Sequence, residues 1–390
     1  MAQWCDRLIS LIMVGMQSRP PLLIAIGVAG VVLSLALGAW VILRVGSSIA
    51  PVATLIFAEF GPGADQVFTA PATDPARRTP ILTIEHADGW GISAAPQAVN
   101  GLAAYTVLPP KARGQADTPA ELWILDVAAK TKRLVASDAD LRVAPVLAAD
   151  GATLLYRSSA SGGQQSIVRV DVASGTRRVI HTTETTFGVF PVGIDSDKTV
   201  IFVALGTGGT DVLRLAEGKP PALVVHASDQ IARDWRLSPD GRLLSYLAPE
   251  VQAERVIHRV QVIELRTGAP LRGVDADPAK GAEQFSPVWA PDGRTLTVGR
   301  EPIPRARTGA LSLSLAAGPP SPLIGPDRGF DAPLAWSPDA GYLATKTFSG
   351  ASSARPGTES VVVVSMHGGR YVVSAAGEII VLGWMPEAAR

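Results

Sequence analysis

Cysteine occurs once in the 390 residues, as Cys5, so no disulfide can form within the chain and its stability must come from packing. A charge surplus is also missing, because 35 Lys and Arg balance 35 Asp and Glu. With no basic excess and no Lys/Arg-rich run, nothing draws the chain to a phosphate backbone, and no nucleic-acid partner is expected. Neither Gly-x-Ser-x-Gly nor His-Glu-x-x-His occurs, which removes the serine-hydrolase elbow and the zinc-protease helix. No catalytic residue, cofactor or metal site is therefore expected.

What the chain does have, near its start, is an apolar run. From Pro20 to Leu43 there is no charge, and Arg19 and Arg44 bound the segment. At about 1.5 Å per residue, such a helix crosses a hydrocarbon core of roughly 30 Å. The expectation is a transmembrane anchor at 20–43, after a cytoplasmic segment 1–19 and before a short linker 44–50. Arg7 and Arg19 precede the span against Arg44 after it, so the N-terminus is placed in the cytoplasm and the remainder outside it. A cleaved signal peptide is the rival reading: Ser48-Ile49-Ala50 loosely fits a cleavage site, but Pro51 follows and the run is long for a signal.

Beyond Pro51 a short phrase recurs: Ser238-Pro239-Asp240-Gly241, Trp289-Ala290-Pro291-Asp292-Gly293 and Trp336-Ser337-Pro338-Asp339-Ala340. Looser copies lie at Asn100-Gly101, Asp150-Gly151 and Asp195-Ser196-Asp197-Lys198. The turn residues fall at 100, 150, 197, 240, 292 and 339, a period near one blade of a β-propeller. Pro fixes φ, Asp bonds its own backbone and Gly accepts positive φ, so the phrase is hairpin chemistry rather than a catalytic motif. Trp289, Trp336 and Trp384 end the first strands of their repeats, where a flat side chain can wedge between sheets.

The two ends of the chain look complementary. Glu378–Glu387 reads as a first strand with a degenerate turn, Pro386-Glu387, and no second strand after it. Ala53–Phe60, Asp65–Ala70 and Thr79–Glu85 read as second, third and fourth strands lacking a first. Joining them gives a shared blade that hides an open sheet edge. The expected fold of 51–390 is all-β: a propeller of seven four-stranded blades, with six or eight as alternatives, closed by a blade built from both termini.

The Trp-Ser-Pro-Asp-Gly phrases make the chain similar to the TolB-like, WD-repeat-related propellers. That resemblance implies a propeller that binds proteins or ligands, and no particular activity, because the fold hosts many.

Strand order also assigns faces. The Pro-Asp-Gly turns share one face, and since the chain enters the first blade at a second strand, that face is expected near the anchor. The connections from fourth to first strands lie on the opposite, outward face. Each of those carries an acid, and Asp88, Asp140, Glu184, Asp229, Asp277, Asp331 and Glu378 are the candidate rim for a cationic or basic partner. Longer loops on that face are expected at Pro109–Pro119, Pro249–Arg255, Glu301–Arg307 and Ser349–Pro356. Arg233, Asp234 and Arg236 stand on a first strand where other repeats are apolar, and are candidate channel-lining contacts for an anionic ligand. Asp275-Ala276-Asp277 with Glu283 lacks a full calcium ligand set. His86, His181 and His226 end fourth strands that should diverge, and His258 and His367 stand alone.

The leading functional expectation is a non-catalytic scaffold that binds other envelope or membrane proteins through its outward loops. The alternative is a ligand sensor or enzyme using the central channel.

Overall fold

The computed structural model describes residues 53–113, 118–159, 164–183, 187–252, 255–271, 281–302, 309–315, 319–374 and 378–385. The expected anchor at 20–43, Glu184, Asp277 and the Pro386-Glu387 turn lie outside them.

Every element among the described residues is a strand. In chain order these are β1 (Thr54–Glu59), β2 (Ala64–Pro71), β3 (Thr79–Glu85), β4 (Ser93–Ala94), β5 (Leu102–Val107), β6 (Ala120–Asp126), β7 (Thr131–Ala139), β8 (Val146–Leu147) and β9 (Thr153–Ser159). They continue with β10 (Gln165–Asp171), β11 (Arg177–Thr183), β12 (Gly188–Ile194), β13 (Val200–Gly206), β14 (Gly209–Leu215), β15 (Ala222–Ser228), β16 (Arg233–Leu237), β17 (Leu243–Gln252) and β18 (Arg255–Glu264). The last are β19 (Gln284–Trp289), β20 (Thr295–Arg300), β21 (Leu311–Ser314), β22 (Ser321–Pro322), β23 (Phe330–Trp336), β24 (Tyr342–Phe348), β25 (Glu359–Ser365), β26 (Arg370–Ser374) and β27 (Ile379–Met385).

Neighbouring strands are antiparallel, in the orders β27-β1-β2-β3, β12-β13-β14-β15, β16-β17-β18, β19-β20-β21-β22 and β23-β24-β25-β26. Strands β4 to β7 and β8 to β11 run in the same sense and are joined into one sheet by a single pairing of Ala139 with Ser158. The final strand pairs with the first, from Thr54 opposite Met385 to Glu59 opposite Ile379, so the termini do build one sheet between them.

Burial explains which segments became which strands. The second strands β5 and β9 are buried along almost their whole length, because neighbouring sheets cover both faces. The fourth strands β11 and β15 have no fully buried residue, as expected for strands at the outer edges of their sheets. First strands are kinked: register shifts interrupt β12, β16, β19 and β23, and another sits where β27 meets β1. An extra residue bends a strand and raises its twist.

The apolar core is a series of layers rather than one mass. Leu154 and Tyr156 pack with Leu122 and Ala139, Val203 and Val212 with Leu244 and Ile263, and Leu247 and Val260 with Leu296 and Leu311. The series returns on itself: Val363 and Ala344 from the β23–β26 sheet share a layer with Leu55, Phe57 and Trp384. The tryptophans wedge as expected. Trp289 Nε1 donates to the Arg236 carbonyl at 3.0 Å, and Trp384 Nε1 to the Ala335 carbonyl at 3.0 Å, each reaching the preceding sheet.

One expected loop is wrong. Residues 249–252 continue β17 and 255 begins β18, with Pro249 opposite His258 and Val251 opposite Val256. Pro249 lies beyond Arg233, whose partner is Leu247, so β16 does not extend to meet it there.

Candidate functional site

The turn phrase organises one end of the molecule. Ser238 Oγ donates to Asp240 Oδ1 at 2.6 Å and accepts from the Leu243 N–H, while Asp240 Oδ1 caps the Arg242 N–H. Ser337 and Asp339 repeat the pattern around Tyr342 and Gly341. These turns and the first-strand ends beside them converge on a cavity of about 480 Å³. Its wall is mainly aliphatic and aromatic, with Leu147, Ile194, Val288, Trp289, Trp336 and Trp384 among the lining residues. Arg236 is the single charged side chain in that wall. Desolvation pulls the Arg236 guanidinium below its ordinary pKa, against the opposing charge of Asp234.

The opposite end carries a charged cluster. Arg233 Nη2 meets Glu283 Oε1 at 3.1 Å, and His258 Nδ1 meets the same oxygen at 3.0 Å. Arg255 Nη2 donates to Glu301 Oε2 at 2.5 Å. Ser353 Oγ, from the loop after β24, donates to Glu283 Oε2 at 2.9 Å. Arg233 and Arg236 therefore do not form one site. They flank the irregularity in β16, where Asp234 sits at φ 57°, and serve different ends of the fold. Asp234 contacts Arg233 at 3.5 Å. His258, isolated in the sequence, is tied to Glu283. Ser353 and His258 thus meet different oxygens of the same carboxylate.

The rim acids divide. Asp140 is buried and bonded by Arg157 Nη2 at 2.7 Å, Arg142 and Ser159. Burial alone would raise its carboxyl, but the hydrogen bond from Arg142 and the charge of Arg157 hold it well below the usual carboxylate range. Asp331 is buried too, in a bidentate pair with Arg370 at 2.7 and 2.8 Å. Both serve the interior and offer no free charge to a partner. Asp229 is exposed and meets His226 Nε2 at 3.0 Å, while Asp88 and Glu378 are exposed.

The histidines at fourth-strand ends each have local partners. His86 is fully buried against Asp65 at 3.0 Å. His181 packs against the Phe202 ring. Asp211 and Asp229 raise the pKa of His226 through hydrogen bonds.

No protein-family model matches the chain, and no curated protein matches it. Solved structures do. An oligogalacturonate lyase in complex with manganese superposes with a TM-score of 0.52 at 14% identity, over 83% of this chain and 85% of that one. The β-propeller domain of the Trilobed protease from Pyrococcus furiosus gives 0.50 at 10% identity, over 80% and 87%. The fold is a β-propeller. TolB from Acinetobacter baumannii is also similar, at a TM-score of 0.46 and 16% identity, this chain covering 61% of its length. The propeller architecture expected from the turn phrase is thus present.

Within the propeller, the polar residues that sequence reasoning missed are Glu301, Arg255 and Ser353, which belong to the Glu283 cluster. They come from separate sheets, and no local pattern connects them. The Arg236 cavity did have a signal. Two residues ahead of the turn position held by Ser238, the other repeats carry Pro96, Val146, Gly193, Val288, Ala335 and Gly383.

Proposed function

We propose that the protein is a membrane-anchored, extracytoplasmic propeller of seven blades that binds another envelope or membrane protein, without catalysis, through the face opposite its Pro-Asp-Gly turns. The observation that carries this reading is the β17–β18 hairpin. Both strands run ten residues, longer than the strands of the neighbouring sheets, and lift Val251 and Val256 out as a cross-strand pair. These valines are 63% and 51% exposed. Phe187 and Ile231, just before β12 and β16, are exposed on the same face. Apolar side chains held out on a projecting hairpin and on neighbouring connections suit a protein contact better than water.

Seven blades are supported by the two four-strand halves of the large sheet, the five other sheets, and the β27–β1 pairing. The anchor rests on the uncharged run at 20–43, and the orientation on Arg7 and Arg19. Acid neutralisation at Asp140 and Asp331 shifts the expected contact from charge to apolar area.

A photo-crosslinking residue at position 251 of the full-length protein in native membranes should give a discrete protein adduct that Val256→Asp abolishes. The same residue at position 223, on the edge strand β15, should give none. An adduct at 223 alone, or one at 251 that Val256→Asp leaves unchanged, would sink the proposal.

A further inference from the structure

At the other end of the propeller, the position two residues ahead of the turn serine is occupied in the other repeats by Pro, Val, Gly or Ala, so the fold itself has no need of a long cation there. Repeat β16 places Arg236 at that position. Its backbone is pinned from two sides, because its carbonyl accepts from Trp289 Nε1 at 3.0 Å and from Ser245 Oγ at 3.3 Å. Its guanidinium, which has five N–H donors, finds one acceptor among the described residues, the Trp235 carbonyl at 3.1 Å. No carboxylate lies within ion-pair distance of it there, whereas Arg233 on the same strand is paired with Glu283. Arg236 is only partly buried and is the one charged side chain among the cavity's lining residues, so its remaining donors are open to an anionic ligand.

We propose that this cavity is a binding site for a small amphipathic monocarboxylate, with Arg236 as the anchor for its carboxylate and the surrounding Leu147, Ile194, Val288 and Leu334 enclosing its apolar body. The cavity volume of about 480 Å³ lies in the range of small-molecule sites. One guanidinium matches one carboxylate through its fork of parallel donors. A phosphate dianion would need a second cation, and the wall holds none. The site lies at the turn end, away from the Val251–Val256 hairpin, so it stands or falls independently of protein binding there.

The test is calorimetric titration of the purified full-length protein with 4-phenylbutyrate and with its uncharged counterpart, 4-phenylbutanamide, which reports partitioning without the charge. The wild-type protein should bind the acid saturably at one site, at least tenfold tighter than the amide. Arg236→Leu should remove that preference while Arg233→Leu keeps it. If Arg236→Leu does not fold, Val288→Asp puts a carboxylate in the adjacent repeat's equivalent position, keeps Arg236, and should equally abolish the preference. Absence of saturable acid binding to the wild-type protein would overturn the proposal. So would an acid preference that survives Arg236→Leu or Val288→Asp.

Discussion

The indole N–H of Trp289 donates to the backbone carbonyl of Arg236 at 3.0 Å, joining two consecutive sheets at the strand that bears the cavity's only charge. Trp289 is buried, so the bond forms where water cannot replace it. Trp289→Phe keeps most of the apolar volume and deletes the donor. It should cost about 1 kcal/mol for the hydrogen bond. Trp384→Ala, which also empties the layer between the first and last sheets, should cost about 3 to 5 kcal/mol. Denaturant unfolding of the two variants should give that order; equal losses would mean that the indole contributes little beyond its donor.

The turn phrase predicts a graded series at its fifth position. Gly241 and Gly293 have φ of 70° and 63°, and Ala340 occupies the same place at φ 56°. A left-handed conformation costs a residue with a Cβ roughly 1 to 2 kcal/mol, partly offset by the entropy that glycine loses on folding. Ala340→Gly should therefore stabilise the propeller by about 0.5 to 1 kcal/mol. Gly293→Ala should destabilise it by a similar amount, since a new Cβ there meets nothing nearer than 3.9 Å. Gly241→Ala should cost clearly more, because its Cβ would come 2.7 Å from the Ser196 nitrogen and 2.8 Å from the Asp195 carbonyl carbon. Melting temperatures ranked in any other order would contradict the shared geometry.

That series also shows why so much of the fold could be read in advance. Pro-Asp-Gly is local chemistry, so the turn at 238–241, the strand Thr79–Glu85 and the pairing of the two termini all follow from residues close together in the chain or from a repeat. Two of the rim acids depart from expectation for the converse reason. Asp140 and Asp331 look like ordinary loop acids until Arg157 and Arg370, 17 and 39 residues further on, are brought against them. The hairpin at 249–256 is hidden in the sequence because proline usually ends a strand, and only the short reach of β16 leaves Pro249 free to continue one. Arg236 differed visibly from its repeat equivalents, but which end of the fold it served depended on the irregular backbone at Asp234.

Asp140 gives a pH dependence with a definite sign. Its folded-state carboxyl titrates below its unfolded value near 3.9. Its contribution is therefore fully present above about pH 4 and is lost as the pH falls further toward the folded value. Asp140→Asn strands Arg157, only 4% exposed, without its counter-charge and should cost about 3 to 5 kcal/mol at pH 7. The gap between variant and wild type should stay constant from pH 7 to pH 5 and narrow below pH 4. A gap that widens with acid would show that the carboxylate is not held by these arginines.

Closure by β27 makes the firmest prediction, because the strand supplies backbone partners to β1 and side chains to two layers. Ile379, Val381, Leu382 and Trp384 are all buried, split between the layers on either side of the first sheet. Each is worth roughly 1.5 to 3 kcal/mol in burial, and together they rival the whole stability of about 5 to 15 kcal/mol typical of a domain. Deleting 378–390 also leaves β1 with an open edge, the arrangement that favours aggregation. The truncated protein should lose its cooperative melt and become protease-sensitive, and a peptide of residues 378–390 added in trans should restore part of both. A truncation that melts as sharply and as high as the full chain would show that β27 merely rests on β1, with the fold held by the other sheets alone.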